Sequence, residues 1–174
     1  MGQYTGPAEE KSTASERVLR KLLVPLDGSR LAECALPYAE EIAGGCDIKE
    51  VMLVSVTERV QGYRATDEPG QPTGLRLIPE AFGKKDKEAE RYLLEIAKGL
   101  EKKGIQARTD VLLWPPAEAI VGYAEQYGAD LIIMSSHGRS GPSRWAFGSV
   151  AEKIFRASRV PVLMVRAPGH PTRT

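Results

Sequence analysis

The sequence is short of the residues that metal and redox chemistry use, and it contains no long apolar run. Its two cysteines, Cys34 and Cys46, fall in no metal-ligand or redox spacing, so a reducing compartment is the expected setting. Of its two histidines, His170 lies in a polar tail, leaving His137 as a lone imidazole with no visible partner. That pattern suits a loop hydrogen-bonder better than a general base. No apolar run approaches the roughly 18 residues of a membrane span, and no signal-peptide core follows the start. Met1-Gly2 resembles a myristoylation start, but position 6 is Gly6 where that signal needs Ser or Thr. A formal net charge of +1 argues against a general nucleic-acid binder. A cytoplasmic protein with no membrane and no nucleic-acid partner is expected.

What is present is an ordinary globular composition, 42% hydrophobic and 27% charged, over 174 residues. That length fits one domain with a real core. Residues 1–16 are polar and aperiodic and read as a flexible tail, as do residues 168–174, leaving 17–167 as the domain. Within it, strand-like and helix-like segments alternate. Lys21–Leu26 is a short apolar run closed by Asp27-Gly28-Ser29; Ser29 then suits an N-cap, and Ala32, Ala35, Leu36, Ala39, Ile42 and Ala43 recur at helical spacing. Val51–Val56 is a second strand. Residues 62–83, rich in Pro and Gly, read as a long loop. A helix from Ala89 to Leu100 is closed by Gly104, and Ala107–Trp114 forms the third strand. Pro116 opens another helix, Ala129–Met134 is strand four, Val150–Phe155 marks the last helix, and Val160–Val165 is strand five. Strands that are continuously apolar are buried on both faces. With helices between them they predict a doubly wound α/β domain, a five-stranded parallel sheet with helices on both faces. Such folds bind ligands beyond the carboxyl ends of their strands.

The two most unusual loops, PLDGS and SSHGRSGPSRWAFGS, stand at the ends of strands one and four. The second is not a Walker A loop, a G-x-G-x-x-G fingerprint or a G-x-S-x-G elbow. Its glycines would let backbone N–H groups approach a phosphate, and Gly148-Ser149-Val150 opens a helix whose unpaired N–H groups favour an anion. Arg139 or Arg144 could add a charge. Alternatively, Ser149 caps the helix and the glycines turn the chain. Asp27 has two readings as well: it satisfies the amides of its own turn, or it binds a ribose, a base edge or a metal. Lys84, Lys85, Lys87, Glu88 and Glu90 read as a solvated helix face, and Trp114 and Trp145 as core or interface residues.

LLVPLDGS, ADLIIMSSHGRSG and FGSVAEKIFRASRVPVLMVR, taken together, resemble the universal stress protein family, in order from Val18 to Arg166. In nucleotide-binding members strand four leads into Gly, two residues, Gly, nine residues, then Gly-Ser or Gly-Thr. Gly138, the nine residues Arg139–Phe147 and Gly148-Ser149 fit that pattern; Ser135 stands where the first glycine belongs. The resemblance implies the adenine nucleotide alpha hydrolase-like fold, strand order 3-2-1-4-5. It implies an adenine nucleotide, ATP or AMP, with Mg2+ bound through the phosphates. By position, Pro25 and Asp27 would line the adenosine side, Val56 would contact the base by its backbone, and Met134 would lie beneath the ligand. Gly138 would approach the phosphates, and Gly148, Ser149 and Val150 would hold them. It further implies a homodimer through the fifth strand and a regulatory module with an unnamed protein partner, at most a slow ATPase. The alternative is a member that binds no nucleotide and serves as a dimeric interaction scaffold.

Overall fold

In the computed structural model, residues 19–57, 63–65, 75–77, 84–113, 115–137 and 147–166 are described. Both expected tails, 1–16 and 168–174, fall outside them.

The apolar runs form the sheet. β1 (Lys21–Pro25), β2 (Glu50–Thr57), β5 (Ala107–Leu113), β6 (Leu131–Ser135) and β7 (Val162–Val165) are all parallel, in the spatial order β5-β2-β1-β6-β7. Counting only these five, the order is the expected 3-2-1-4-5. β1 lies in the centre, its Leu22 in register with Val51 on one side and Leu131 on the other. The helices are α1 (Arg30–Glu33), α2 (Leu36–Gly45), α3 (Lys84–Glu101), α4 (Pro116–Tyr127) and α5 (Ser149–Ala157).

Side-chain alternation divides the core into two layers. Leu22, Val24, Val51 and Leu53 pack against α2 and α3, with Leu93, Ala97 and Leu100 buried opposite them. Leu23, Met52 and Val54 point the other way, onto Ile120, Ala124 and Ile154 of α4 and α5. Removing this apolar surface from water supplies the main favourable term, about 25 cal/mol per Å². At the amino ends of the strands, Asp130 Oδ2 accepts from the backbone N–H groups of Arg20 and Lys21, both at 2.9 Å, and so locks β1 beside β6.

Two expectations are corrected. The first helix is not continuous: it breaks at Cys34-Ala35 and restarts as α2. Pro37, in the first turn of α2, has no N–H to give the carbonyl of Glu33, and its ring crowds that carbonyl. The chain there makes tighter bonds, Cys34 N to Leu31 O at 3.3 Å and Ala35 N to Ala32 O at 3.2 Å. The segment 62–83 is not loop throughout, because β3 (Tyr63–Ala65) and β4 (Leu75–Leu77) pair antiparallel, Tyr63 opposite Leu77. Tyr-Arg-Ala and Leu-Arg-Leu alternate with the period of a strand, a signal that the surrounding prolines and glycines obscured. Smaller shifts move strand ends by a residue or two.

Candidate functional site

A cleft of about 740 Å³ lies across the carboxyl ends of β1, β2 and β6. This is the position that the fold's topology favours for a ligand, and the size suits a small organic molecule.

From β1 the chain enters the cleft at Pro25 and turns at Asp27-Gly28. Asp27 Oδ1 accepts from Ser29 N at 3.0 Å, and Gly28 takes φ 81, which a Cβ would disfavour. Ser29 caps α1 as expected, its Oγ accepting from Ala32 N at 3.1 Å. The turn reading of Asp27 therefore has a physical basis, which leaves room for a ligand role beside it.

The end of β6 forms the opposite rim. Ser135 and Ser136 are buried, and Ser136 Oγ lies 3.0 Å from His137 Nδ1, the loop-bonding role expected of that imidazole. Ser135 Oγ accepts from His137 N at 3.4 Å. Gly148 N donates to Ser136 O at 2.9 Å, which brings the start of α5 against this rim. A Cβ on Gly148 would stand 3.4 Å from Ser136 O and 3.7 Å from the His137 Cα. Gly148, which has no side chain to cap with, is the N-cap, and Ser149 is the first helical residue. The capping alternative for Ser149 is thus corrected. Ser149 lines the cleft together with Val150 and Ala151, the residues whose N–H groups begin α5 without a partner inside the helix.

Helix α3 supplies a wall. Lys85, Glu88, Ala89 and Tyr92, spaced as one helical stripe, line the cleft. The expectation of a solvated face holds for Lys84, Lys85, Lys87, Glu88 and Glu90, all of them exposed, and Lys85 and Glu88 border the cleft as well. Two hydrogen bonds hold this wall. Thr57 donates its hydroxyl to Asp86 Oδ1, and Tyr92 donates to Glu33 Oε1 at 3.0 Å. Burial, then the bond to Glu33, holds the Tyr92 phenol well above its ordinary range, so it stays a neutral donor. Ser55, 4% exposed, also lines the cleft, and its hydroxyl has no hydrogen-bond partner among the described residues.

Pro25, Asp27, Val56, Met134, Gly148, Ser149 and Val150 are all brought to this one cleft. Gly138, like Arg139, Arg144, Trp114, Trp145 and His170, lies outside the described residues. Sequence reasoning missed Ser55, Thr57, Asp86 and the Glu33–Tyr92 pair. Polar residues at the end of an otherwise apolar strand were the available signal for the first two. Among the described residues no cluster of three or more His, Cys, Asp or Glu could hold a metal ion. Nor is any described helix long and apolar enough to cross a membrane.

The model of the universal stress protein family matches residues 19–166. The chain belongs to the universal stress protein family. This universal stress protein is 33% identical over 153 residues to MJ0531 of Methanocaldococcus jannaschii, covering 88% of this chain and 85% of the relative. It is 31% identical to YxiE of Bacillus subtilis, covering 86% of this chain and all of that one, 100%. The solved structure of MJ0577 superposes with a TM-score of 0.73 at 29% identity, covering 88% of this chain and 99% of that one. A universal stress protein solved in complex with cAMP shares the fold at 19% identity, TM-score 0.60, over 87% of this chain and 99% of that one.

Proposed function

We propose that this universal stress protein binds an adenine nucleotide, ATP or AMP, in the cleft and acts through it as a regulatory module of the stress response. The observation that carries the reading is the start of α5. Gly148, Ser149, Val150 and Ala151, which open this helix, all line the cleft, and the N-cap is Gly148 rather than Ser149. Unpaired N–H groups at the amino end of a helix, with a hydroxyl added, are a phosphate site. Pro25, Asp27 and Val56 then border the adenosine, Met134 lies beneath it, and Gly138 approaches the phosphates. Mg2+ would arrive on the phosphates, since the described residues provide no ligand cluster of their own. The family's regulatory rather than enzymatic character suits a site that holds a nucleotide and signals its state.

The proposal extends to a homodimer through β7. Among the described residues only β6 pairs with this strand, and Val162, Leu163 and Met164 are half-buried at that edge of the sheet. An uncovered edge strand is a template for a second copy. A second reading, a dimeric scaffold without nucleotide, draws on Ser135, whose side chain stands where nucleotide-binding members have glycine. Mass spectrometry of the gently purified protein decides between them. Co-purified ATP or AMP is expected. No nucleotide on the protein, and no uptake of any adenosine nucleotide at millimolar concentration, would leave the scaffold.

A further inference from the structure

β2 sends alternate residues to opposite faces of the sheet. Met52 and Val54 pack in the layer of α4 and α5, whereas Val51 and Leu53 pack in the layer of α3. Ser55 and Thr57 continue the second series, on the α3 side, where the strand ends at the cleft. Both line the cleft and both are buried, 4% and 7% exposed.

Their hydrogen-bonding states differ. Thr57 donates its hydroxyl hydrogen to Asp86 Oδ1. An ionised carboxylate only accepts, so the Thr57 oxygen keeps acceptor capacity alone. The Ser55 hydroxyl has no partner among the described residues and can donate or accept. No side-chain N or O among the described residues is both buried and unpartnered, so this hydroxyl is open to solvent, and the space that Ser55 borders is the cleft.

We propose that Ser55 and Thr57 form a base-reading edge: Thr57 accepts from an exocyclic amino group, and Ser55 donates to the ring nitrogen beside it. This rests on the nucleotide reading above. Residues two apart on a strand are about 6.7 Å apart. Two neighbouring polar atoms of a purine edge, with a hydrogen bond of about 2.9 Å on either side, can span that separation. Adenine matches this pattern. A base with a carbonyl oxygen in place of the amino group sets two acceptors face to face with no hydrogen between them. Asp86 does not line the cleft; it is a positioning residue that fixes which way the Thr57 hydrogen points.

The test is calorimetric titration of the full chain with ATP and with ITP, whose base carries a carbonyl oxygen where adenine has its amino group. The wild type should favour ATP by about tenfold or more, the equivalent of one or more hydrogen bonds. Asp86→Ala frees the Thr57 hydroxyl to turn and donate, so the ATP-to-ITP ratio should fall by about tenfold although no cleft-lining residue has changed. Thr57→Val should weaken ATP by about tenfold and ITP less, and Thr57→Ser should restore the ratio. Circular dichroism checks each fold; if Thr57→Val does not fold, Asp86→Ala and Thr57→Ser still decide. A protein that binds ATP with a ratio unmoved by Asp86→Ala overturns this inference alone. A wild type that takes up neither nucleotide overturns the nucleotide reading and this one with it.

Discussion

Tyr92 on α3 donates its hydroxyl to Glu33 Oε1 on α1 across 3.0 Å, and so joins two helices beside the cleft. Burial first, and the bond to Glu33 second, raise the phenol well above its ordinary value of 10.0. In the unfolded chain this phenol loses its proton as the pH rises through about 10, whereas the folded chain keeps it. The folded state then binds more protons, and stability falls as the pH climbs above that point. Tyr123, raised by burial and its bond to Asp110, contributes in the same direction. Tyr92→Phe should cost about 1 kcal/mol at neutral pH and flatten, without abolishing, the alkaline decline. Urea unfolding across the alkaline range measures both effects, and an unchanged slope would remove Tyr92 from the account.

Asp27 is placed to serve both its own turn and a ligand, and one substitution separates the two roles. Asparagine keeps an acceptor for Ser29 N, the bond seen at 3.0 Å, while removing the charge. Asp27→Asn should therefore leave the folding midpoint nearly unchanged and weaken ATP binding by about 1–3 kcal/mol, the range for losing a charged hydrogen-bond partner. Asp27→Ala should lower both. Unchanged ATP affinity in a folded Asp27→Asn protein would mean that Asp27 is a turn residue only.

The dimer can be tested through the backbone. Ile132 N donates to Pro161 O at 2.9 Å, and Ser136 N donates to Val165 O at 2.7 Å, so the backbone groups of 161, 163 and 165 face β6. Those of Val162 and Met164 therefore face the open edge. Met164→Pro removes an outward N–H and keeps the β6 ladder, so it should yield monomer in sedimentation with the sheet intact. Leu163→Pro, which removes an inward donor, should instead destabilise the fold. A wild type already monomeric at micromolar concentration would refute the dimer.

The central strands were legible because burial on both faces leaves a continuous apolar run, as in LLVP and VMLV of β1 and β2. The Asp27-Gly28-Ser29 turn was legible because its bonds Ser29 N to Asp27 Oδ1 and Ala32 N to Ser29 Oγ are local. The Pro37 break was equally local, but the apolar spacing from Ala32 to Ala43 concealed it. Contacts between remote segments carried no local signal. Tyr92 meets Glu33 and Thr57 meets Asp86 only after α3 has packed on the sheet. Lys85 and Glu88 look like any charged helix surface until the stripe they share with Ala89 and Tyr92 is set beside β2. The cleft's strand-end half could be read from sequence, and its α3 wall could not.

Ser135 stands where the resemblance to nucleotide-binding members would put a glycine, and its side chain already has a local role. Its Oγ accepts from His137 N at 3.4 Å, near the long limit for such a bond, in a residue 5% exposed at the end of β6. Ser135 also lines the cleft, so its Cβ narrows the approach to the rim that Gly148 shares. Ser135→Gly removes this narrowing together with one weak bond, and it adds backbone freedom beside the site. Narrowing and lost order act in opposite directions, each by about 1 kcal/mol or less. ATP affinity should therefore change by less than about tenfold, roughly 1.4 kcal/mol. Calorimetry on both proteins measures the difference directly. If nucleotide binds only after Ser135 becomes glycine, that one side chain has closed the site, and the protein works as a scaffold.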